Sequence, residues 1–149
     1  LDTSVAGMMD QKGCIFTPHI AQVAAGAPMT FLNNDHMLHN IHTTSVANLT
    51  VNKAQPGFMK KMTETFPLPE IIKVQCDVHS WMSAWIVVQD HPFYAVTDEQ
   101  GTFTMAHVPP GTYTLRYWHE RFGEQTQAVE VREAETTVAD MAFISPVSL

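Results

Sequence analysis

Short β-branched and aromatic runs, punctuated by turn formers every 8–12 residues or so, dominate the chain and predict a mainly-β protein. Cys14 to Thr17 stops at Pro18. Ile20 to Ala24 runs into Gly26-Ala27-Pro28, and Met29 to Leu32 ends at Asn33-Asn34-Asp35. Leu38 to Thr43 follows, then a polar stretch, 44–57, which reads as a long loop. Phe58 to Phe66 reads as a strand or a short helix closed by Pro67 and Pro69. Ile71 to Gln75 and Ala84 to Val88 are the clearest strands, while Leu1 to Met9 offers no obvious first strand. No segment carries a sustained helical apolar period.

Beyond His91-Pro92 the texture changes. Thr97 to Gly101 and Pro109-Pro110-Gly111 are turns, leading into strands expected at Thr102 to Met105 and Thr112 to Tyr117. Two more are expected near 126–131 and 137–143. The pattern predicts one domain over 1–92 and a smaller one over 93–149, packed tightly because no flexible linker separates them.

Composition narrows the function classes. The 149 residues are 45% apolar and 15% charged, as in an ordinary folded protein. A formal charge of −7 leaves no basic stripe for nucleic acid or an anionic membrane. The apolar runs fall far short of the ~20 residues a bilayer span needs. The chain starts at Leu1 without a leader, which a removed signal peptide or trimming would equally explain. Eight His and nine Met stand against eight Lys plus Arg, with two Cys.

The densest chemistry lies in Cys76-Asp77-Val78-His79-Ser80-Trp81-Met82, between two expected strands. Thiolate, imidazole and thioether recur at intervals of three. A loop can turn all three toward one centre, whereas a strand alternates its faces. With a second His, this is the ligand set of a blue-copper electron-transfer site. That His should come from the segment 36–42. If a strand begins near Leu38, His39 and Ile41 share a face and His42 lies on the other, while His36 sits in the preceding turn. His19, His91, His107 and His119 are scattered and read as structural or solvated. The same holds for most of the methionines outside the loop, which read as core filler. No phosphate loop, nucleophile elbow or carboxylate pair points to an enzyme.

Phe16-Thr17-Pro18, Val23 to Gly26, Phe31 to Asp35, Leu38 to Ile41 and the Cys76 to Met82 loop together resemble the cupredoxins, small Greek-key β-sandwich copper proteins. The likeness runs over roughly residues 12–90. It implies copper ligated by His39, Cys76, His79 and Met82, with Asn40 tying the two ligand loops together through its side chain. It also brings Cys14 near the metal end of the sandwich. The segments Thr97 to Phe103 and Val108 to Leu115 are similar to carboxypeptidase regulatory-like, or transthyretin-like, domains. That resemblance implies a small accessory β-sandwich without catalysis.

The expectation is therefore an all-β periplasmic or secreted protein that carries single electrons and is not an enzyme. Its partner would be a cationic redox protein such as a basic cytochrome. The alternative is a copper-binding or copper-delivery protein using His36, His39, His42 and His79, with Cys14 and Cys76 in a disulfide. A third is a binding module of the same fold without metal.

Overall fold

A computed structural model describes residues 6–144, and it contains no helix among them. Eleven strands form in chain order: β1 (Gly7–Gln11), β2 (Phe16–Thr17), β3 (Ile20–Ala24), β4 (Pro28–Asn33), β5 (His39–Thr44), β6 (Asn52–Gln55), β7 (Lys61–Thr65), β8 (Glu70–Gln75), β9 (Ser83–Gln89), β10 (Gly111–His119) and β11 (Gly123–Val131). The chain divides into two compact units, one ending at Phe103 and one beginning at Thr104.

In the first unit, two sheets form a sandwich. One has the order β2-β1-β4-β7, the other β3-β9-β8-β5-β6. β1 runs parallel to β4 and β3 parallel to β9; the remaining pairs are antiparallel. Alternation decides what is buried. Met29 and Phe31 point inward from β4, Ile41 from β5, Ile72 and Val74 from β8, and Ala84, Ile86 and Val88 from β9. With Met9, Phe16, Val23 and Phe66 they fill a continuous core. Each large side chain buried there contributes roughly 1.5–3 kcal/mol.

The same alternation runs on to one end of the sandwich. His39 is in phase with Ile41, Cys76 with Ile72 and Val74, and Met82 with Ala84 and Ile86. Three candidate ligands therefore face inward because their strands do. Beneath them lies a buried polar network. Gln11 Nε2 donates to Gln55 Oε1 at 2.8 Å, Gln55 Nε2 to Phe31 O at 3.0 Å, and Asn33 Nδ2 to Gln55 O at 2.8 Å and Met37 O at 3.1 Å. These bonds fix the start and finish of the loop between β4 and β5.

Several sequence expectations change. A first strand exists, β1, although only 6–9 of the residues before Asp10 are described and Leu1 to Val5 lie outside. Cys14 is not in a strand: it occupies the β1–β2 turn at φ 54°. The polar stretch 44–57 holds β6, whose Asn52, Lys53 and Ala54 are exposed, so an edge strand formed without an apolar alternation. Phe58 to Phe66 resolves as a strand, β7.

The second unit contains the antiparallel β10–β11 ribbon, paired from Gly111↔Val131 to His119↔Gly123. The expected strands at 102–105 and 137–143 are irregular chain. Side chains tether the second of these stretches instead: Tyr117 OH donates to Ala139 O at 3.0 Å and Thr137 Oγ1 to Glu130 O at 2.7 Å. His119 stacks on Phe122 with ring centres 4.6 Å apart, and its Nδ1 accepts from the Arg121 and Phe122 amides. That is the structural role expected of it.

Candidate metal centre

Register brings the ligand segments together. β5 pairs with β8 at His42↔Gln75, so Asn40 falls opposite Asp77 just beyond the ladder. β8 pairs with β9 up to Gln75↔Ser83, and the Cys76 amide then donates to Met82 O at 3.2 Å. The loop between them closes when the Met82 amide donates to His79 O at 3.0 Å. This tight turn lifts His79 over the end of the core while Cys76 and Met82 stay buried.

Three donor atoms converge. His39 Nδ1 and His79 Nδ1 are 3.2 Å apart, and Cys76 Sγ stands 3.9 Å from the first and 3.8 Å from the second. A point about 2.1 Å from all three atoms exists at the centre of that triangle, the length of an ordinary bond from a transition metal to nitrogen or sulfur. The donor chemistry, two imidazoles and a thiol, fits a borderline-to-soft ion. Met82, 1% exposed, closes the loop that carries Cys76 and His79 through its backbone.

The outer edges of both ligand segments are also fixed. His39 Nε2 meets Asp35 Oδ2 at 2.7 Å. Asp35 is held in turn by the Gly13 amide at 2.8 Å and the Cys14 amide at 3.0 Å. Burial pushes the Asp35 carboxyl upward, but the bonds from His39 and from those two amides outweigh it and hold the group below its ordinary value. Asn40 bonds Asp77 twice, accepting the Asp77 amide with Oδ1 and donating from Nδ2 to Asp77 Oδ2 at 3.0 Å. Asn40 thus links the two loops. Bonds from Gln75, His42 and Asn40 hold the Asp77 carboxyl at about 2.

The His-rich alternative is not assembled. His42 faces away from the triangle and bonds Asp77 Oδ2 through Nδ1 at 2.9 Å, and His36 is exposed in the turn and joins no cluster of candidate ligands among the described residues. The disulfide is absent as well, and both cysteines are free thiols. Cys14 Sγ contacts Met37 Sδ at 3.4 Å, whereas Cys76 Sγ faces the two imidazoles. The turn at Cys14, not a strand, sets that direction. In the sequence Asp35 reads only as a turn former and Met37 as one of the core-filling methionines, yet Met37 is 45% exposed; neither carries a signal that separates it from any other loop residue. Trp81 is 66% exposed, lies 5.2 Å from the His79 ring and donates from Nε1 to Cys14 O at 2.9 Å.

Two structural relatives share this frame. A Cu-containing nitrite reductase from Thermus scotoductus SA-01 aligns over 54% of this chain at 20% identity and TM-score 0.50. The match spans 21% of the nitrite reductase, so the chain corresponds to about a fifth of it. A reduced single-residue variant of amicyanin aligns over 60% of this chain and 85% of its own, at 18% identity and TM-score 0.50. The N-terminal part has the cupredoxin fold. Residues 83–143 match the carboxypeptidase regulatory-like domain, beginning where β9 of the cupredoxin part begins. No curated protein matches the sequence.

Proposed function

We propose that the cupredoxin part binds one copper ion through His39, Cys76, His79 and Met82 and passes single electrons to and from a protein partner. The observation that carries this is the triangle of His39 Nδ1, His79 Nδ1 and Cys76 Sγ, with every side between 3.2 and 3.9 Å. Relatives of the same fold include proteins whose names specify copper, the nitrite reductase among them. Bound copper would supply a one-electron couple.

The residues do the rest. The sandwich core and the buried amide network hold His39 and Cys76 in place, so the donors need little rearrangement between two charge states. Met82, buried at the end of the loop, offers a thioether as a weak fourth donor. His79 is only half-buried, and the exposed Trp81 beside it offers an apolar surface where a partner can come close. The formal −7 favours a cationic partner such as a basic cytochrome. A periplasmic or secreted setting belongs to the same proposal. So do the division at residues 92 and 93 and an accessory, non-catalytic role for the second domain. No helix among the described residues is long and apolar enough to cross a membrane.

The test is electrochemical. The purified chain loaded with one equivalent of copper should show a reversible one-electron wave and keep its metal through repeated reduction and reoxidation. Loss of the ion in either state, or no reversible wave, contradicts electron carriage.

A further inference from the structure

We propose that Asp35 is a positioning residue. It fixes His39 as the tautomer protonated at Nε2, leaving the Nδ1 lone pair aimed between Cys76 and His79, and its charge favours the more highly charged copper ion. The charge role rests on the copper reading above; the tautomer role does not.

His39 is fully buried, so its Nε2 needs a partner inside the protein. A neutral carbonyl would be enough to satisfy that N–H. The structure instead supplies a carboxylate at 2.7 Å, the length of a charge-assisted bond. A carboxylate can only accept, so the proton belongs on Nε2, and Nδ1, on the opposite edge of the ring, is free to donate its lone pair. An acidic partner on the outer nitrogen also makes the imidazole a stronger donor.

Asp35 is itself tightly held. Gly13 and Cys14 are consecutive left-handed residues, φ 63° and 54°, and their amides converge on the two carboxylate oxygens. Such a pair of N–H groups is a cradle for an anion. Cys14 is not glycine, and holding it there costs on the order of 1 kcal/mol. From the other side, the Asp35 amide donates to Asn33 Oδ1 at 3.0 Å, and Lys60 Nζ to Asp35 O at 3.3 Å. The 13–14 turn therefore holds the carboxylate itself against the histidine edge, while Asn33 and Lys60 fix the Asp35 backbone. A loop tie alone would not need a charge aimed at Nε2.

Two readouts separate this role from a structural one. In the metal-free protein, nitrogen NMR in mildly alkaline solution should show His39 protonated at Nε2 and bare at Nδ1; a proton on Nδ1 overturns the tautomer role. Asp35→Asn keeps the shape and can still place an oxygen against Cys14 and His39, but removes the charge. Its copper form should prefer Cu(II) over Cu(I) at least tenfold less, which raises the potential by about 59 mV or more for a one-electron couple. An unchanged potential in a folded, copper-loaded Asp35→Asn protein overturns the charge role. A wild-type chain that takes up no copper overturns the copper reading and the charge role together, while the tautomer still decides the first half.

Discussion

Asn40 and Asp77 grip each other twice across the two segments that carry the candidate ligands, backbone to side chain and side chain to side chain. His39 precedes one partner directly and Cys76 precedes the other. The distance between the first imidazole and the thiol is thus set by a contact one residue away from both. Asn40→Ala removes the link and leaves the Asp77 amide without this acceptor. Copper affinity, measured by competition with a chelator, should fall about tenfold, the lower end for a partner that orients a metal ligand. Wild-type affinity in that variant would show that the β5–β8 register alone sets the spacing.

Acid should loosen the β5–β8 pair at both of its ends, Asp77 beside the ligand loops and Glu70 at the far end. Asp77 is held at about 2 against an ordinary 3.8. Glu70 is held below its ordinary 4.5: burial raises it, but bonds from the Val46, Ala47 and Asn48 amides and the Asn48 side chain outweigh that. Both groups bind protons less readily folded than unfolded. Their contribution is complete above the ordinary carboxylate range and is lost as pH falls toward the folded values. Thermal midpoints should be flat near neutrality and decline from about pH 4.5 toward 2. Replacing both, by Asp77→Asn and Glu70→Gln, should flatten that decline.

Gly57 has no room for a side chain. A Cβ there would come within 2.9 Å of the His36 carbonyl carbon and the Met37 nitrogen. Those atoms belong to the loop that presents Asp35 and His39. Gly57→Ala should cost about 1–3 kcal/mol by overpacking backbone against backbone and weaken copper binding as well, readable by thermal melts with and without the ion. A normal melt with normal copper binding would mean the loop shifts freely.

Electron exchange with a basic protein should slow as salt rises. The formal −7 attracts a cationic partner over distances comparable to the screening length, about 10 Å at 0.1 M. Stopped-flow rates against a basic cytochrome should fall steeply between low and physiological ionic strength. A salt-independent rate places recognition on the apolar surface near Trp81 instead.

Much of this frame was legible in the chain. The inward phases of β4, β8 and β9 are written in Met29 and Phe31, Ile72 and Val74, and Ile86 and Val88, because period-two alternation is a local signal. The separation of His39 from His42 followed from the same rule. β6 was not legible, since an edge strand buries almost nothing and Asn52 to Gln55 reads as polar loop. β1 was hidden because Gly7 to Gln11 has buried Met9 and Gln11 alternating with exposed Met8, so its polar core residue masks the pattern. The Asp35–His39 bond and the Cys14–Met37 contact depend on loop conformations, the left-handed pair at 13 and 14 above all, for which only Gly13 gives a hint. In the second unit, Thr102 to Met105 and Thr137 to Phe143 carry strand-like composition without ladder pairing, so β propensity there was overruled by context.

Cys76 decides the central claim. Loaded with Cu(II), the protein should show an intense visible thiolate-to-copper band that persists in Cys14→Ser and disappears in Cys76→Ser. A pale spectrum from the wild-type chain, or a band that survives the loss of the Cys76 thiol, contradicts the assignment.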